Sequence, residues 1–370
     1  MAAILPMMPG SLSGELVDAA SLAALAGMGA RLPVDLSSFW GFEVQLGNDR
    51  PEIDFLVEIR RGTPGHALLA GREASRLDDL CGRSEAWAEL RRFARAWFDS
   101  GHALHGAVRN VWFEFDMVAA RAAHADALAR PCVFWGPAPP ASGDQIAVGD
   151  LLDLVRREFS PCPDALPRDL LGEAVRALPG AARIFQIGAM HWRGDVVLRM
   201  CVNTIARDDV PGWLERLKWD GDAPALGAAL ASIAPLVRNI AVDVDFTPQG
   251  VGRKIGIECY LDWRELAVPE WDRVLDYLSA RGLCSASKRR AVTAFPAKTE
   301  YSLREQLAAR RRGFMFPVLY RNIHHVKLAF VGSGWVEAKA YLGVSRPGID
   351  IAACFSPEPS DGGESSWYMP

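Results

Sequence analysis

Two side chains suited to proton transfer, Glu258 and His325, lie in segments where polar and apolar residues alternate. A carboxylate or a neutral imidazole on the polar face of a strand can accept a proton from an indole, a phenol or a peptide nitrogen. The alternatives are an ion pair of Glu258 with a cation on the next strand and a hydrogen-bonded structural histidine. Because adjacent strand residues point to opposite faces, His325 but not His324 is expected to share a face with Lys327.

Five other side chains are predicted to line the same pocket, where they would contact the substrate. They are Arg199, Tyr260, Lys327, Lys339 and Tyr341. Each lies on the polar face of an alternating run. Tyrosine, histidine and lysine interleaved with carboxylates suit an enclosed pocket better than a plain solvated surface.

Metal and cofactor sites are not predicted. The carboxylate pairs Glu114 with Asp116 and Asp243 with Asp245 each face one way and could hold magnesium, but no aspartate-rich helical motif accompanies them. The two histidines of segment 101–106 lack a visible third ligand. Dinucleotide, Walker, G-x-S-x-G and H-E-x-x-H motifs are also absent from the sequence, which argues against nucleotide use, triad hydrolysis and zinc-protease chemistry.

The elements that carry these residues form an internal repeat. Three segments begin with Arg-Asn, at Arg109, Arg238 and Arg321, and each runs into an alternating strand, a turn and a second alternating strand. Two more pairs share the pattern without Arg-Asn, giving five hairpins. The paired strand segments are 39–46 with 52–60, 111–118 with 131–136, 183–190 with 195–203, 240–246 with 254–263, and 323–330 with 335–344.

The gaps between the hairpins are predicted to be helical, which makes the chain an α+β protein. Helices are expected over 14–26, 84–99, 150–159, 167–178, 211–219, 225–237, 269–282, 288–295 and 302–312. Ten strands are near the limit for an open sheet, and closure removes both edges. We therefore predict a ten-stranded antiparallel barrel of five αββα repeats, with helices outside, a polar lumen and room for a ligand. The alternative is an open sheet with a solvated polar face.

Composition sets the remaining limits. The formal net charge of −4 over 370 residues gives no general attraction to nucleic acid or acidic membranes, and no apolar run reaches the length of a membrane span. Seven scattered cysteines with no C-x-x-C spacing favour a reducing, cytoplasmic location. The predicted domain is a single barrel over residues 1–355, followed by a disordered tail over 356–370.

Repeated αββα units that close into a ten-stranded barrel resemble the ABBA aromatic prenyltransferases, whose fold is called the PT barrel. In the indole-prenylating branch of that family, second strands carry K-x-Y or R-x-Y pairs, in which the cation binds the diphosphate and the tyrosine shields the allylic cation. Here Lys339-Ala340-Tyr341 matches in full. Glu258-Cys259-Tyr260 keeps only the tyrosine, and Arg199-Met200-Cys201 keeps only the cation.

The resemblance implies that Arg199, Lys327 and Lys339 bind a diphosphate, that Tyr260 and Tyr341 shield the cation, and that a carboxylate or histidine accepts the aromatic proton. The charge balance departs from this pattern. Nine acids share the polar face with five bases, and a diphosphate needs a concentrated positive clamp.

The C-terminal strands and the segment VLDYLSARGLC also resemble tailoring proteins of bacterial ribosomal-peptide pathways, of crocagin-like type. The predicted function is a tailoring protein of bacterial secondary metabolism that acts on an aromatic or peptide substrate in the lumen. Two alternatives stay open: an aromatic prenyltransferase that uses an allylic diphosphate, and an inactive barrel that presents a precursor peptide to a partner enzyme.

Overall fold

The structure is a computed structural model that describes residues 12–37, 39–117, 131–138, 148–158, 168–190, 198–261, 269–302 and 318–345. The predicted tail over 356–370 and almost all of the predicted helix over 302–312 lie outside these residues. No helix within the described ranges is both long and apolar enough to cross a membrane.

Ten strands pair in an antiparallel ring, and an eleventh, short strand lies beside it. The strands are β1 (Phe39–Gln45), β2 (Ile53–Arg60), β3 (Val108–Phe115), β4 (Cys132–Pro137), β5 (Arg183–Ala189), β6 (Leu198–Asn203), β7 (Asn239–Thr247), β8 (Gly250–Tyr260), β9 (Ala297–Glu300), β10 (Val318–Val331) and β11 (Gly334–Ser345). Neighbours along the chain pair from β1 to β8, then β8 pairs with β10 and β10 with β11.

The ring closes where β11 pairs with β1, with Glu43 opposite Tyr341 and Trp40 opposite Val344. The predicted closed barrel is therefore confirmed, and the open sheet is excluded. Closure gives both β1 and β11 a partner on each side, so neither presents an unpaired edge.

Helices cover the outer face of the sheet, as predicted. Within the described residues they are α1 (Ala19–Arg31), α2 (Pro64–Leu69), α3 (Leu77–Arg83), α4 (Glu85–Phe98), α5 (Ala103–Ala107), α6 (Val148–Glu158), α7 (Arg168–Arg176), α8 (Asp209–Arg216), α9 (Ala223–Ile233), α10 (Glu270–Ser279) and α11 (Ala286–Thr293). A turn of 3-10 helix, Val34–Leu36, leads into β1.

Helix α4 shows why the outer face is the core. Its buried stripe of Trp87, Leu90, Ala94 and Trp97 follows helical spacing and packs against the apolar side of the strands. The indole Nε1 of Trp97 donates to the carbonyl of Val108 at 2.9 Å, so the ring is buried without losing its hydrogen bond. Burial of a side chain of the size of Leu90 contributes about 1.5–3 kcal/mol.

Several elements differ from the prediction, and helices α2, α3 and α5 were not predicted. Helix α1 begins five residues later than expected, because the carboxylate of Asp18 caps it by accepting from the backbone N–H of Ser21 at 2.6 Å. Strand β9 was not predicted. Its four residues alternate between exposed and half-buried. Among the described strands it pairs with the first four residues of β10, where Val318 faces Glu300.

Candidate functional site

The inward faces of the ten strands enclose a lumen with three connected regions. We call the first the aromatic chamber, a cavity whose wall includes Phe39, Leu56, Trp112, Phe134 and Phe185. The second, the charged end, contains four acids and four bases. The third, the mouth, is lined by segments 203–208 and 238–240 and by Tyr260, Leu261 and His324.

The predicted lining residues all reach one of these regions. Glu258, His325, Arg199, Lys327 and Tyr341 line the aromatic chamber. Lys339 lines the charged end, which Arg199, Lys327 and Tyr341 also reach. Tyr260 lines the mouth. The strand register produces this convergence, since His325 faces Tyr341 and Lys327 faces Glu258 across neighbouring strands.

Three of the four cations of the charged end, Arg199, Lys327 and Lys339, are paired with acids. The Arg199 guanidinium makes two hydrogen bonds to Asp245, at 2.7 and 3.1 Å. The Lys339 ammonium lies 2.5 Å from Glu43 Oε1 and 3.3 Å from Glu337 Oε1. Although burial opposes ionisation, Arg199 lowers the pKa of Asp245. The acids of the charged end therefore form specific ion pairs with its cations.

Lys327 reaches its partner across a strand. Its ammonium bonds to Asp243 on β7, although β8 lies between β7 and β10. The residue of β8 opposite Asp243 is Gly256, and a Cβ there would lie 2.8 Å from Lys327 Cε and 3.0 Å from Asp243 Cβ. Glycine at this position leaves the space through which the lysine side chain passes. The other oxygen of Asp243, Oδ1, is buried without a hydrogen-bond partner.

Lys327 and Lys339 face each other directly on paired strands. Like charges in that position destabilise a sheet. Each lysine turns to an acid on its other side, so the two ammonium groups are compensated separately. Burial and Arg199 lower the pKa of Lys327, but the acidic groups around it, Asp243 and Glu258 first among them, together raise it overall.

Glu43 is the acid at the centre of the K-x-Y element. One of its oxygens accepts from Lys339, and the other accepts from the Tyr341 hydroxyl. Burial raises the pKa of Glu43, but the charge and hydrogen bond of Lys339, the Tyr341 hydroxyl and Lys327 together bring it to about 2. The carboxylates of Asp54 and Glu114 lie close enough to share a cation with Glu43. Burial, reinforced by the Glu43 charge, instead raises the pKa of Asp54 to about 7.

Glu258 has the environment of a general base. The residue is 8% exposed, and its Oε2 accepts a hydrogen bond from the Tyr260 hydroxyl. Burial, followed by the charge of Asp243, raises the pKa of Glu258 to about 7, against the opposing effect of Lys327. A carboxylate whose pKa lies near the operating pH can both take up and release a proton.

The expectation that His324 and His325 point to opposite faces is wrong. A β-bulge between Ile323 and His325 inserts an extra residue into β10, and both imidazoles line the aromatic chamber. Their Nδ1 atoms are 2.6 Å apart. The His325 ring stacks on Tyr341 with centroids 4.1 Å apart and planes 15° apart. Its Nε2 lies 3.7 Å from Glu258 Oε1.

The aromatic wall is the part of the site that sequence reasoning missed. The prediction of a polar lumen considered only the polar residues of the inward faces. The same alternation carries a signal for the others, because Phe39 lies four residues before Glu43 and Trp112 two residues before Glu114. The rings of Phe39 and Trp112 meet edge to face at 5.5 Å. The lumen therefore combines an aromatic wall with a set of charged side chains.

No protein-family profile matches the chain, and no curated protein matches it. Solved structures do match. The apo form of the prenyltransferase PriB has a TM-score of 0.52 at 15% identity, covering 92% of this chain and 96% of PriB. PriB in ternary complex with L-tryptophan and dimethylallyl thiolodiphosphate gives 0.51 at 14% identity, with 93% and 96% covered. The PriB complex with product diphosphate gives 0.50 at 15% identity, with the same coverage.

The chain has the PT-barrel fold. At such low identity the likeness establishes the fold alone, so the chemistry of this PT barrel must come from its own side chains. Of the K-x-Y elements, the one that matches in full is engaged internally, since both Lys339 and Tyr341 bond to Glu43.

Proposed function

We propose that this PT barrel is a tailoring enzyme that holds an aromatic ring in its aromatic chamber and removes a proton from that ring with Glu258. The observation that carries the proposal is the presence in one cavity of an aromatic wall and a buried carboxylate whose pKa lies near 7. An indole or phenol would stack against Trp112 and Phe134, where aromatic contacts favour flat rings.

The substrate is an indole or phenol ring carried by an amino acid or a peptide, as expected for secondary metabolism. One buried atom without a hydrogen-bond partner, Asp243 Oδ1, is available to a polar group of such a substrate. Tyr260 borders the mouth, so a chain attached to the ring can extend past it. The charged end contains equal numbers of acids and bases, so it suits a substrate group that is zwitterionic or uncharged.

In the proposed mechanism, a ring carbon forms a bond to an electrophilic co-substrate, whose leaving group departs with the electron pair, and Glu258 then takes the proton from that carbon, which restores the aromatic ring. The Tyr260 hydroxyl, which donates to Oε2, keeps the carboxylate oriented and leaves Oε1 for the proton. Burial raises the pKa of Tyr260 well above its ordinary value, so this hydroxyl remains a donor throughout the neutral range. The aromatic wall excludes water from the reacting ring.

Transfer of an allylic group from its diphosphate is the second candidate. Its support is the convergence of Arg199, Lys254, Lys327 and Lys339 on the charged end. The PriB complex, which holds both tryptophan and a dimethylallyl analogue, has the same fold. Against this candidate stand four carboxylates in the same cavity, all of them paired with Arg199, Lys327 or Lys339. A diphosphate would have to displace them.

The test of the leading proposal compares Glu258→Gln with the unaltered protein. Binding of indole, L-tryptophan, L-tyrosine and short peptides containing them is measured by calorimetry, and turnover by mass spectrometry with and without dimethylallyl diphosphate. We expect Glu258→Gln to bind rings as well as the parent and to lose turnover by at least about a hundredfold. Trp112→Leu should weaken ring binding, and Glu337→Gln at the charged end serves as the matched control.

The outcomes separate the candidates. Parent turnover should rise with pH through about 7, because Glu258 must be ionised to act as a base. A product heavier by a prenyl group would support the second candidate. Ring binding without turnover in the parent would favour a barrel that presents a peptide to a partner enzyme. Unchanged turnover in Glu258→Gln would refute the base assignment.

A further inference from the structure

The bulge in β10 creates a contact between two buried imidazoles. His324 and His325 are 3% and 5% exposed, and their Nδ1 atoms lie 2.6 Å apart. That distance requires one proton between the two nitrogens, donated by one ring and accepted by the other. Burial lowers the pKa of His324 to about 3 and, with His324 and Lys327, lowers that of His325, so both rings are neutral near pH 7.

One end of this pair faces the proposed base. His325 Nε2 is buried without a hydrogen-bond partner and lies 3.7 Å from Glu258 Oε1. Stacking on Tyr341 fixes the plane of the His325 ring, and Tyr260 contacts its other side at 5.1 Å between centroids. Lys327 and Glu258 are the charged neighbours on the two strands, and both tyrosine hydroxyls are bonded to acids.

The other end of the pair reaches a different cavity. His324 lines both the aromatic chamber and the mouth, whereas His325 lines only the chamber. The two rings therefore span the wall between the reacting ring of a bound substrate and the outer part of the lumen. Glu258 is buried, so a bound substrate would close its direct path to water.

We infer that His324 and His325 form a proton relay that carries the proton taken by Glu258 from the aromatic chamber to water in the mouth. The inference rests on the proposed function of Glu258. In the starting state His325 holds its proton on Nδ1 and His324 on Nε2. The protonated Glu258 gives its proton to His325 Nε2, His325 Nδ1 gives its proton to His324 Nδ1, and His324 Nε2 releases one to water.

The shift leaves both rings neutral and restores the Glu258 carboxylate, so no buried imidazolium forms. This suits the relay to its surroundings, because burial disfavours a charged imidazole. Once the product has left, water enters the chamber, and the reverse shift, from mouth water to chamber water, returns both rings to their starting tautomers. The bulge is essential, since a regular strand would point His324 away from His325.

The test follows protonation of Glu258 directly. Indole fills the chamber, a rapid pH jump starts the reaction, and infrared spectroscopy records the carboxylic C=O band, assigned by its loss in Glu258→Gln. His324→Asn places an amide near the Nδ1 position, so it can keep the hydrogen bond but cannot pass a proton to the mouth. His325→Asn breaks the other link if the first variant fails to fold. His102→Asn is the matched control, since His102 caps α5 and asparagine caps equally well.

We expect the relaxation rate of the Glu258 band to fall about a hundredfold in His324→Asn while the midpoint of its titration stays in place. His102→Asn should relax at the parent rate. A titrating band whose rate is the same in parent and His324→Asn would overturn the relay and leave the base role of Glu258 intact. Absence of a titrating Glu258 band, or of indole binding, would overturn both.

Discussion

Asp245→Asn tests whether acids hold the charged end in balance. In the parent, Asp245 makes a two-pronged ion pair with Arg199, at 2.7 and 3.1 Å, and the side chains are 18% and 9% exposed. Removing one partner of a buried pair costs about 3–5 kcal/mol. Because Asp243 also acts on the Arg199 charge, we expect the lower end of that range. For a chain of 370 residues this lowers Tm by about 4 °C.

A second Arg–Asp pair supplies the matched control. Arg253 and Asp220 lie 3.1 Å apart, but their side chains are 81% and 56% exposed. An exposed pair contributes at most about 1 kcal/mol, so Asp220→Asn should lower Tm by about 1 °C. Calorimetry of parent and both variants in the same buffer measures the difference between burial and exposure for one chemical pair.

Pyrophosphate adds a functional readout. Asp245→Asn changes the charged end from four acids and four bases to three acids and four bases, so an anion should bind the variant more tightly than the parent. A ligand at a hundred times its Kd adds about 2.7 kcal/mol of stability, which would nearly cancel the loss in Asp245→Asn. Equal Tm values for the two variants, or equal shifts with pyrophosphate, would refute this account of the lumen.

Three further predictions concern packing and pH. Gly188→Ala should lower the free energy of unfolding by about 1–3 kcal/mol and weaken ring binding, because a Cβ there overlaps the Phe134 ring. In Gly41→Ala the atom nearest to the new Cβ is 3.3 Å away, so a denaturation assay should show a smaller loss. Burial holds the pKa of His66 near 4, so below pH 6.5 the unfolded state binds more protons than the folded state. The free energy of unfolding should therefore fall as the pH is lowered from 6.5 toward 4. In His66→Asn the dependence of Tm on pH over this range should be weaker than in the parent. Lys288→Met should cost about 2–4 kcal/mol in urea unfolding, since the fully buried ammonium donates to two carbonyls at 2.7 and 2.6 Å.

Much of the fold could be predicted from the sequence, because the same hairpin and helix pattern occurs five times along the chain. Strict alternation fixes which strand face meets the helices, and a one-residue error would turn every side chain of a strand to the wrong side. The five hairpins therefore specify both the strand count and the outer core. Strand β9 was not predicted, because its four residues, with Lys298 and Glu300 on the exposed side, show no alternation with apolar residues.

The site was less predictable, for two physical reasons. A β-bulge changes the facing of one residue without any change of composition, so the alternation that placed His325 in the lumen placed His324 outside it. Pairing across strands is also invisible in a linear pattern. Lys327 bonds to Asp243 two strands away, and only the three-dimensional row that contains Gly256 makes that contact possible.

The ion pairs of the charged end affect both the stability of the empty barrel and its capacity to bind a diphosphate. A lumen that compensates each cation with its own carboxylate stays stable without a bound anion, whereas an uncompensated clamp would bury like charges in the empty protein. The acids at Glu43, Asp243 and Asp245 therefore stabilise the empty barrel, and a diphosphate would have to compete with them for the cations. In the function that we propose, proton transfer at Glu258 needs no such clamp, because it relies on burial and on neighbours that stay in place. The ion pairs of the lumen thus support our proposal of acid–base chemistry on an aromatic ring over ionisation of a diphosphate.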